Sequence, residues 1–126
     1  MARIMIVDDA TFMRQMLGNI LKAEGHEICA EASNATEAVE KYKEFKPDLV
    51  TMDIVMPMME ELDGLGAVKE IIEFDPKAKI LVVSVMAQHS LVVEAMHSGA
   101  KDFITKPFQP PRVIAAIKNI LGPPQK

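Results

Sequence analysis

Asp48-Leu49-Val50-Thr51-Met52-Asp53-Ile54-Val55-Met56-Pro57 is the stretch whose reading decides the rest. Leu49 to Met52 is a short apolar run containing a β-branched valine and threonine. It is bounded by Lys46-Pro47-Asp48 before and Met56-Pro57 after, which reads as a strand buried on both faces rather than a helix. Asp53 stands where that strand ends. A carboxylate against so apolar a strand is costly unless it is solvated, paired or holding a cation, so Asp53 calls for a functional reason.

On the N-terminal side, Arg3-Ile4-Met5-Ile6-Val7 is a β-rich run ending in Asp8-Asp9. From Thr11 the spacing becomes helical, with Phe12, Met16, Ile20 and Leu21 expected on one apolar face. Gly25 is a plausible helix stop, and His26 to Ala32 reads as a second strand, mixed enough to lie near a sheet edge. Ser33-Asn34 offers an N-cap for a helix through Glu44, with Ala38, Val39 and Tyr42 inward and Glu37 and Lys41 as an i,i+4 pair.

Beyond the opening stretch, Asp63-Gly64 leads into a helix from about Leu65 to Phe74, with Ala67, Val68, Ile71 and Ile72 inward. Lys79 to Val83 is a wholly apolar fourth strand that runs into Ser84. A helix over His89 to His97 is stopped by Gly99, and Lys101 to Thr105 forms a fifth strand ending in Lys106-Pro107. A last helix runs from about Pro111 to Leu121.

Five strands alternating with five helices predict an α/β fold: a single doubly wound, five-stranded parallel sheet with right-handed crossovers and helices on both faces. In such sheets ligands bind outside the carboxyl ends of the strands. The residues expected there are Asp8, Asp9, Asp53, Ser84 and Lys106. Taken singly each has a plainer explanation: a helix cap for the acid pair, an Asx turn for Asp53, a satisfied core hydroxyl for Ser84 and a solvated turn for Lys106. Their value lies in the set.

At 126 residues the chain is expected to be one domain over 1–126, and 49% hydrophobic with 25% charged residues is ordinary globular composition. The lone Cys29 rules out an internal disulfide, and no signal peptide is evident, so a reducing cytoplasm is expected. The longest apolar run is too short to cross a bilayer, which argues against membrane insertion. A net charge of −4 and a pI near 5.3 argue against nucleic acid and favour a cation or a basic partner. Met5, Met16, Met52 and Met96 fall at apolar positions and read as core filling. His26, His89 and His97 share no metal spacing and read as surface residues.

Three clustered carboxylates repel one another unless a divalent cation neutralises them, and hard oxygen ligands suit Mg²⁺, with Mn²⁺ as the alternative. Mg²⁺ keeps room for phosphate oxygens, so phosphoryl transfer follows as the chemistry, with Asp53 as nucleophile and phosphoacceptor and Lys106 and Ser84 contacting the phosphate.

Ile6-Val7-Asp8-Asp9-Ala10 with Phe12-Met13-Arg14, the opening stretch, Ser84, and Gly99-Ala100-Lys101-Asp102-Phe103-Ile104-Thr105-Lys106-Pro107-Phe108 together resemble response-regulator receiver domains, and within them the single-domain chemotaxis regulators. The resemblance covers nearly the whole chain. It implies a flavodoxin-like sheet of order 2-1-3-4-5. It also implies that Asp53 accepts phosphate from a sensor histidine kinase, that Asp9 binds Mg²⁺ directly and Asp8 directly or through water, and that the backbone carbonyl of Val55 is a further ligand. Ser84 and Phe103 would form the switch that remodels the surface of helix 4, strand 5 and helix 5. The partners implied are the kinase, a flagellar or archaellar motor switch or adaptor protein, and a phosphatase, with the chain itself a monomer.

The chain departs from the family's pattern in places. Met58, Met59, Glu60, Glu61 and Leu62 lengthen the connection between Pro57 and Gly64, as an extra helical turn or a bulging loop, and Met58 stands where an acid is common. Met58, Met59 and Leu62, if exposed, would make a contact surface. Val85 and Ala87 replace the smaller Ala and Gly usual after the switch hydroxyl, and Phe103 lacks a hydroxyl. Two other readings stand beside the switch. One is a small Mg²⁺-dependent phosphatase, against which Val55 occupies the position where a general acid would stand. The other is a non-switching scaffold made so by the lengthened loop.

Overall fold

The computed structural model describes residues 2–55 and 62–122. In chain order its elements are β1 (Arg3–Val7), α1 (Thr11–Ala23), β2 (Glu27–Ala32), α2 (Ala35–Phe45), β3 (Leu49–Met52), α3 (Gly64–Phe74), β4 (Ile80–Ser84), α4 (His89–His97), β5 (Asp102–Thr105) and α5 (Pro110–Leu121). The strands form one parallel sheet in the order β2-β1-β3-β4-β5, as the alternation of elements and the family resemblance predict.

The pleat explains why the central strands carry almost no polar residues. Successive side chains point to opposite faces, and helices cover both. Met5, Val7, Val50, Met52, Ile80 and Val82 enter a layer built with α2, α3 and α4. Ile4, Ile6, Leu49, Leu81 and Val83 enter a second layer closed by Leu17 and Leu21 of α1 and Val113, Ala116 and Ile117 of α5. Fully burying each such side chain contributes about 1.5–3 kcal/mol, so β1, β3 and β4 anchor the fold. β2 pairs on one side only and is half-exposed, which is the edge position its mixed composition indicates.

The helix ends follow local chemistry. Asn34 caps α2, its side chain accepting from the amide of Glu37 at 2.8 Å, and Asp63 caps α3 by accepting from the amide of Gly66 at 2.7 Å. After α4, Gly99 takes φ +119°, and a Cβ there would lie 2.7 Å from Ile72 Cγ1, so both conformation and space require glycine.

Several expectations are corrected. Phe12 is 70% exposed. At 3.6 residues per turn it lies roughly opposite Leu21, and the buried stripe of α1 is Leu17, Gly18 and Leu21. Met96 is exposed, on the side of α4 away from buried Ala95, so it fills no core. His26 is half-buried, and its Nδ1 accepts from the amide of Ala2 at 3.1 Å. Ser84 closes β4 as its last residue, and α5 starts one residue early, at Pro110. Met58, Met59, Glu60 and Glu61 lie outside the described residues. Leu62 is half-buried against the α2–α4 layer, so it is only partly available as a contact surface.

Candidate functional site

The strand order reverses between β1 and β3, and the β1–β3 pairing continues one step past both strands. The amide of Asp53 donates to the carbonyl of Val7 at 3.0 Å, while the amide of Asp8 donates to the carbonyl of Ala32 at 3.0 Å. These two bonds set Asp8 and Asp53 side by side at the carboxyl edge of the sheet. Both are almost wholly buried, at 2% and 4% exposure, whereas Asp9 is exposed. Each of the three offers a carboxylate oxygen, and these oxygens all lie within 4.8 Å of one another.

Lys106 enters from the end of β5. Its Nζ donates to Asp8 Oδ2 at 2.7 Å and to Asp53 Oδ2 at 3.2 Å. The remaining oxygens face backbone: Asp8 Oδ1 accepts from the amide of Ala10 at 2.9 Å, and Asp53 Oδ1 from the amide of Val55 at 2.9 Å. Burial pushes the Asp53 carboxyl above the ordinary aspartate value, and the neighbouring Asp8 charge adds to it. The Val55 amide and the Lys106 ammonium pull the other way without cancelling it. For Lys106 burial disfavours the charge, but the Asp8 hydrogen bond and the charges of Asp53 and Asp8 outweigh it, so the ammonium is held more firmly than usual.

Three carboxylates facing one ammonium leave a surplus of negative charge. A hard divalent cation with oxygen ligands fits that donor set, and Mg²⁺, which binds through one or two carboxylates and keeps waters, is the natural candidate. Asp8, Asp9 and Asp53 are the residues that could hold it.

Ser84 is fully buried at the end of β4. Its Oγ accepts from the amide of Met86 at 3.2 Å, and its carbonyl accepts from the amide of Lys106 at 2.8 Å. Phe103 is half-buried and packs on the α2–α4 layer. Val82 pairs with Phe103 and Ser84 with Thr105, so by the alternation of the pleat Ser84 and Phe103 project from the same face. The structure thus gathers Asp8, Asp9, Asp53 and Lys106 directly, with Ser84 and Val55 on adjoining turns and Phe103 behind.

Two residues that the sequence marks only as punctuation or as part of a motif border the site. Gly64 packs against the loop of the acid site: a Cβ there would meet Ile54 Cα at 2.4 Å and the carbonyl oxygen of Asp53 at 2.8 Å. Arg14, quoted only as part of a motif, donates from Nη1 to the carbonyl of Asp8 at 2.6 Å. Its place in the first turn after an acid pair was the available signal.

The family model described as the response regulator receiver domain matches residues 4–118. The chain belongs to this family. Among similar receiver proteins, the chemotaxis protein CheY of Thermotoga maritima is 57% identical over 118 residues, spanning 94% of this chain and 96% of that protein. CheY of Bacillus subtilis is 56% identical over 120 residues, 95% and 98% of the two chains. A crystal structure of a CheX-CheY-BeF₃-Mg²⁺ complex from Borrelia burgdorferi superposes with a TM-score of 0.90 at 34% identity, covering 96% of this chain and 90% of that one. Among the described residues of this receiver chain, no helix is long and apolar enough to cross a membrane.

Proposed function

We propose that this chain is a phosphorylation-dependent signalling switch of a two-component system serving chemotaxis, a binding module rather than a turnover enzyme. The observation that carries the reading is Asp53. It is a buried carboxylate at the end of the central strand, with two further acids within 4.8 Å and a lysine 3.2 Å away.

Asp53 acts as the nucleophile. A carboxylate oxygen forms the new bond to phosphorus as the bond to the donor's imidazole nitrogen breaks, and the imidazole leaves with the electron pair. Asp8, Asp9, Asp53 and the Val55 carbonyl would hold Mg²⁺, which would supply charge neutralisation for the phosphoryl oxygens. Lys106 already sits between Asp8 and Asp53, so a small movement of Nζ brings it onto a phosphoryl oxygen. The Ser84 hydroxyl, turning from the Met86 amide toward the phosphate, provides a further hydrogen bond. That movement vacates space on the face Ser84 shares with Phe103. Inward rotation of the Phe103 ring would then alter the α4, β5 and α5 surface.

A sensor histidine kinase is the donor, and a motor switch or adaptor protein reads the altered surface. The CheY relatives support chemotaxis, and the solved complex of a relative with CheX supports a protein partner that binds the receiver. Incubation with Mg²⁺ and acetyl phosphate should add one phosphoryl mass to the intact protein. Equal labelling of the Asp53→Asn variant would refute the assignment.

A further inference from the structure

Arg14 lies in the first turn of α1, yet only 16% of its side chain is exposed. Its guanidinium is held at three points: Nη1 on the Asp8 carbonyl at 2.6 Å, Nε on Glu31 Oε1 at 2.9 Å, and Nη2 on Thr11 Oγ1 at 3.2 Å. Glu31 belongs to β2, and its own carbonyl accepts from Lys41 Nζ of α2 at 2.5 Å. Asp8 is therefore tied to the end of β2 on both sides, through its amide to Ala32 and through its carbonyl and Arg14 to Glu31.

The direction of these bonds separates two roles. Arg14 makes no hydrogen bond to a carboxylate of the acid site: Asp8 Oδ1 is taken by the Ala10 amide and Oδ2 by Lys106, while the Arg14 charge is met by Glu31. A planar fork spanning a carbonyl and a carboxylate fixes geometry in a way a single ammonium does not.

The geometry points to Arg14 as a positioning residue for the cation site, the Arg14–Glu31 pair holding the Asp8-Asp9 turn at its working distance from Asp53. This rests on reading the site as one that takes Mg²⁺. If Arg14 acted only through its charge, removing it would relieve repulsion and tighten cation binding. As a positioning residue, its removal loosens binding.

The test is Mg²⁺ titration of the isotopically labelled protein, followed at the amides of Ala10 and Val55, for wild type, Arg14→Met, Arg14→Lys and Glu31→Gln. Urea unfolding establishes that each is folded. Arg14→Met is expected to bind Mg²⁺ about tenfold more weakly, as when a group orienting a metal ligand is lost. Its Ala10 amide should already be shifted in the cation-free protein. Arg14→Lys should restore little, and Glu31→Gln should fall between wild type and Arg14→Met. If Arg14→Met does not fold, Glu31→Ala cuts the same tie from β2 and is expected to weaken binding in the same direction. Binding as tight as wild type or tighter in the variant that cuts the tie, or full restoration by lysine, overturns the positioning role alone. No Mg²⁺ uptake by the wild type overturns the reading of the site, and the inference with it.

Discussion

Separated by 98 residues of chain, Asp8 and Lys106 meet at 2.7 Å through Oδ2 and Nζ. This is shorter than the 3.2 Å from the same ammonium to Asp53. Lys106 thus stands between two buried acids and balances part of a charge that would otherwise be uncompensated, and the consequences of disturbing that arrangement can be measured.

Lys106→Met keeps most of the apolar stem and removes the ammonium. Leaving two buried carboxylates unpaired should cost about 3 kcal/mol in urea unfolding at neutral pH. Millimolar Mg²⁺ should recover part of the loss by neutralising the same carboxylates. A deficit unchanged by Mg²⁺ would show that the ammonium and the cation do not serve the same acids.

Asp53→Asn should raise the melting temperature of cation-free protein by a few degrees at neutral pH. Burial holds the Asp53 carboxyl above its ordinary value in the folded chain. A raised folded-state value means that the fold favours the protonated acid. That stabilisation is present below the ordinary aspartate range and is lost as pH rises through the folded value. At neutral pH the ionised Asp53 is therefore a burden that asparagine removes, and the advantage should shrink as the pH is lowered into the carboxylate range. A melting difference independent of pH is the contrary result.

Gly64→Ala and Gly18→Ala should have opposite effects. At Gly64 a Cβ meets backbone at 2.4 Å and 2.8 Å, so the loop after Asp53 must move; a loss of about 2 kcal/mol and weaker Mg²⁺ binding are expected. At Gly18, inside α1, the nearest side-chain atoms are 3.9 Å and 4.0 Å away, and alanine should add up to about 1 kcal/mol through helix propensity. Equal effects at the two positions would contradict the close approach of α3 to the site.

Thr51→Val should stabilise the protein by about 1 kcal/mol in urea unfolding. Thr51 is 1% exposed, and its hydroxyl has no hydrogen-bond partner among the described residues, while valine has nearly the same shape and no polar atom to bury. A destabilised variant would mean that the hydroxyl is satisfied in solution.

Most of the architecture was legible because the chain's periodicities agree with its punctuation. Leu49 to Met52 sits between strong breakers, and Asp63-Gly64 marks the approach to α3 as a turn signal, the helix itself starting at Gly64. The acid cluster was legible for a topological reason: a parallel sheet brings all strand ends to one edge, so residues far apart in sequence could be placed together without knowing any distance. What stayed hidden depends on side-chain direction. The spacing of Phe12, Met16 and Ile20 suggests one face, but the sheet selects the face centred on Leu17 and Leu21. The sequence pattern points Lys106 at phosphate, whereas its shortest bond, to Asp8, follows from how β5 ends, which no local pattern encodes. Arg14 could be seen in the sequence but not its bond to a backbone carbonyl, since any residue supplies that acceptor.

Among the described residues, the sheet divides the interior into two apolar compartments with no buried side chain in common. Substitutions on opposite sides should add in their effects on stability. The compartment under α1 and α5 can thus be repacked around Leu17, Val113 and Ile117 without touching the packing on which Phe103 rests. Global stability and the surroundings of Phe103 are therefore tunable from different sides of the same five strands.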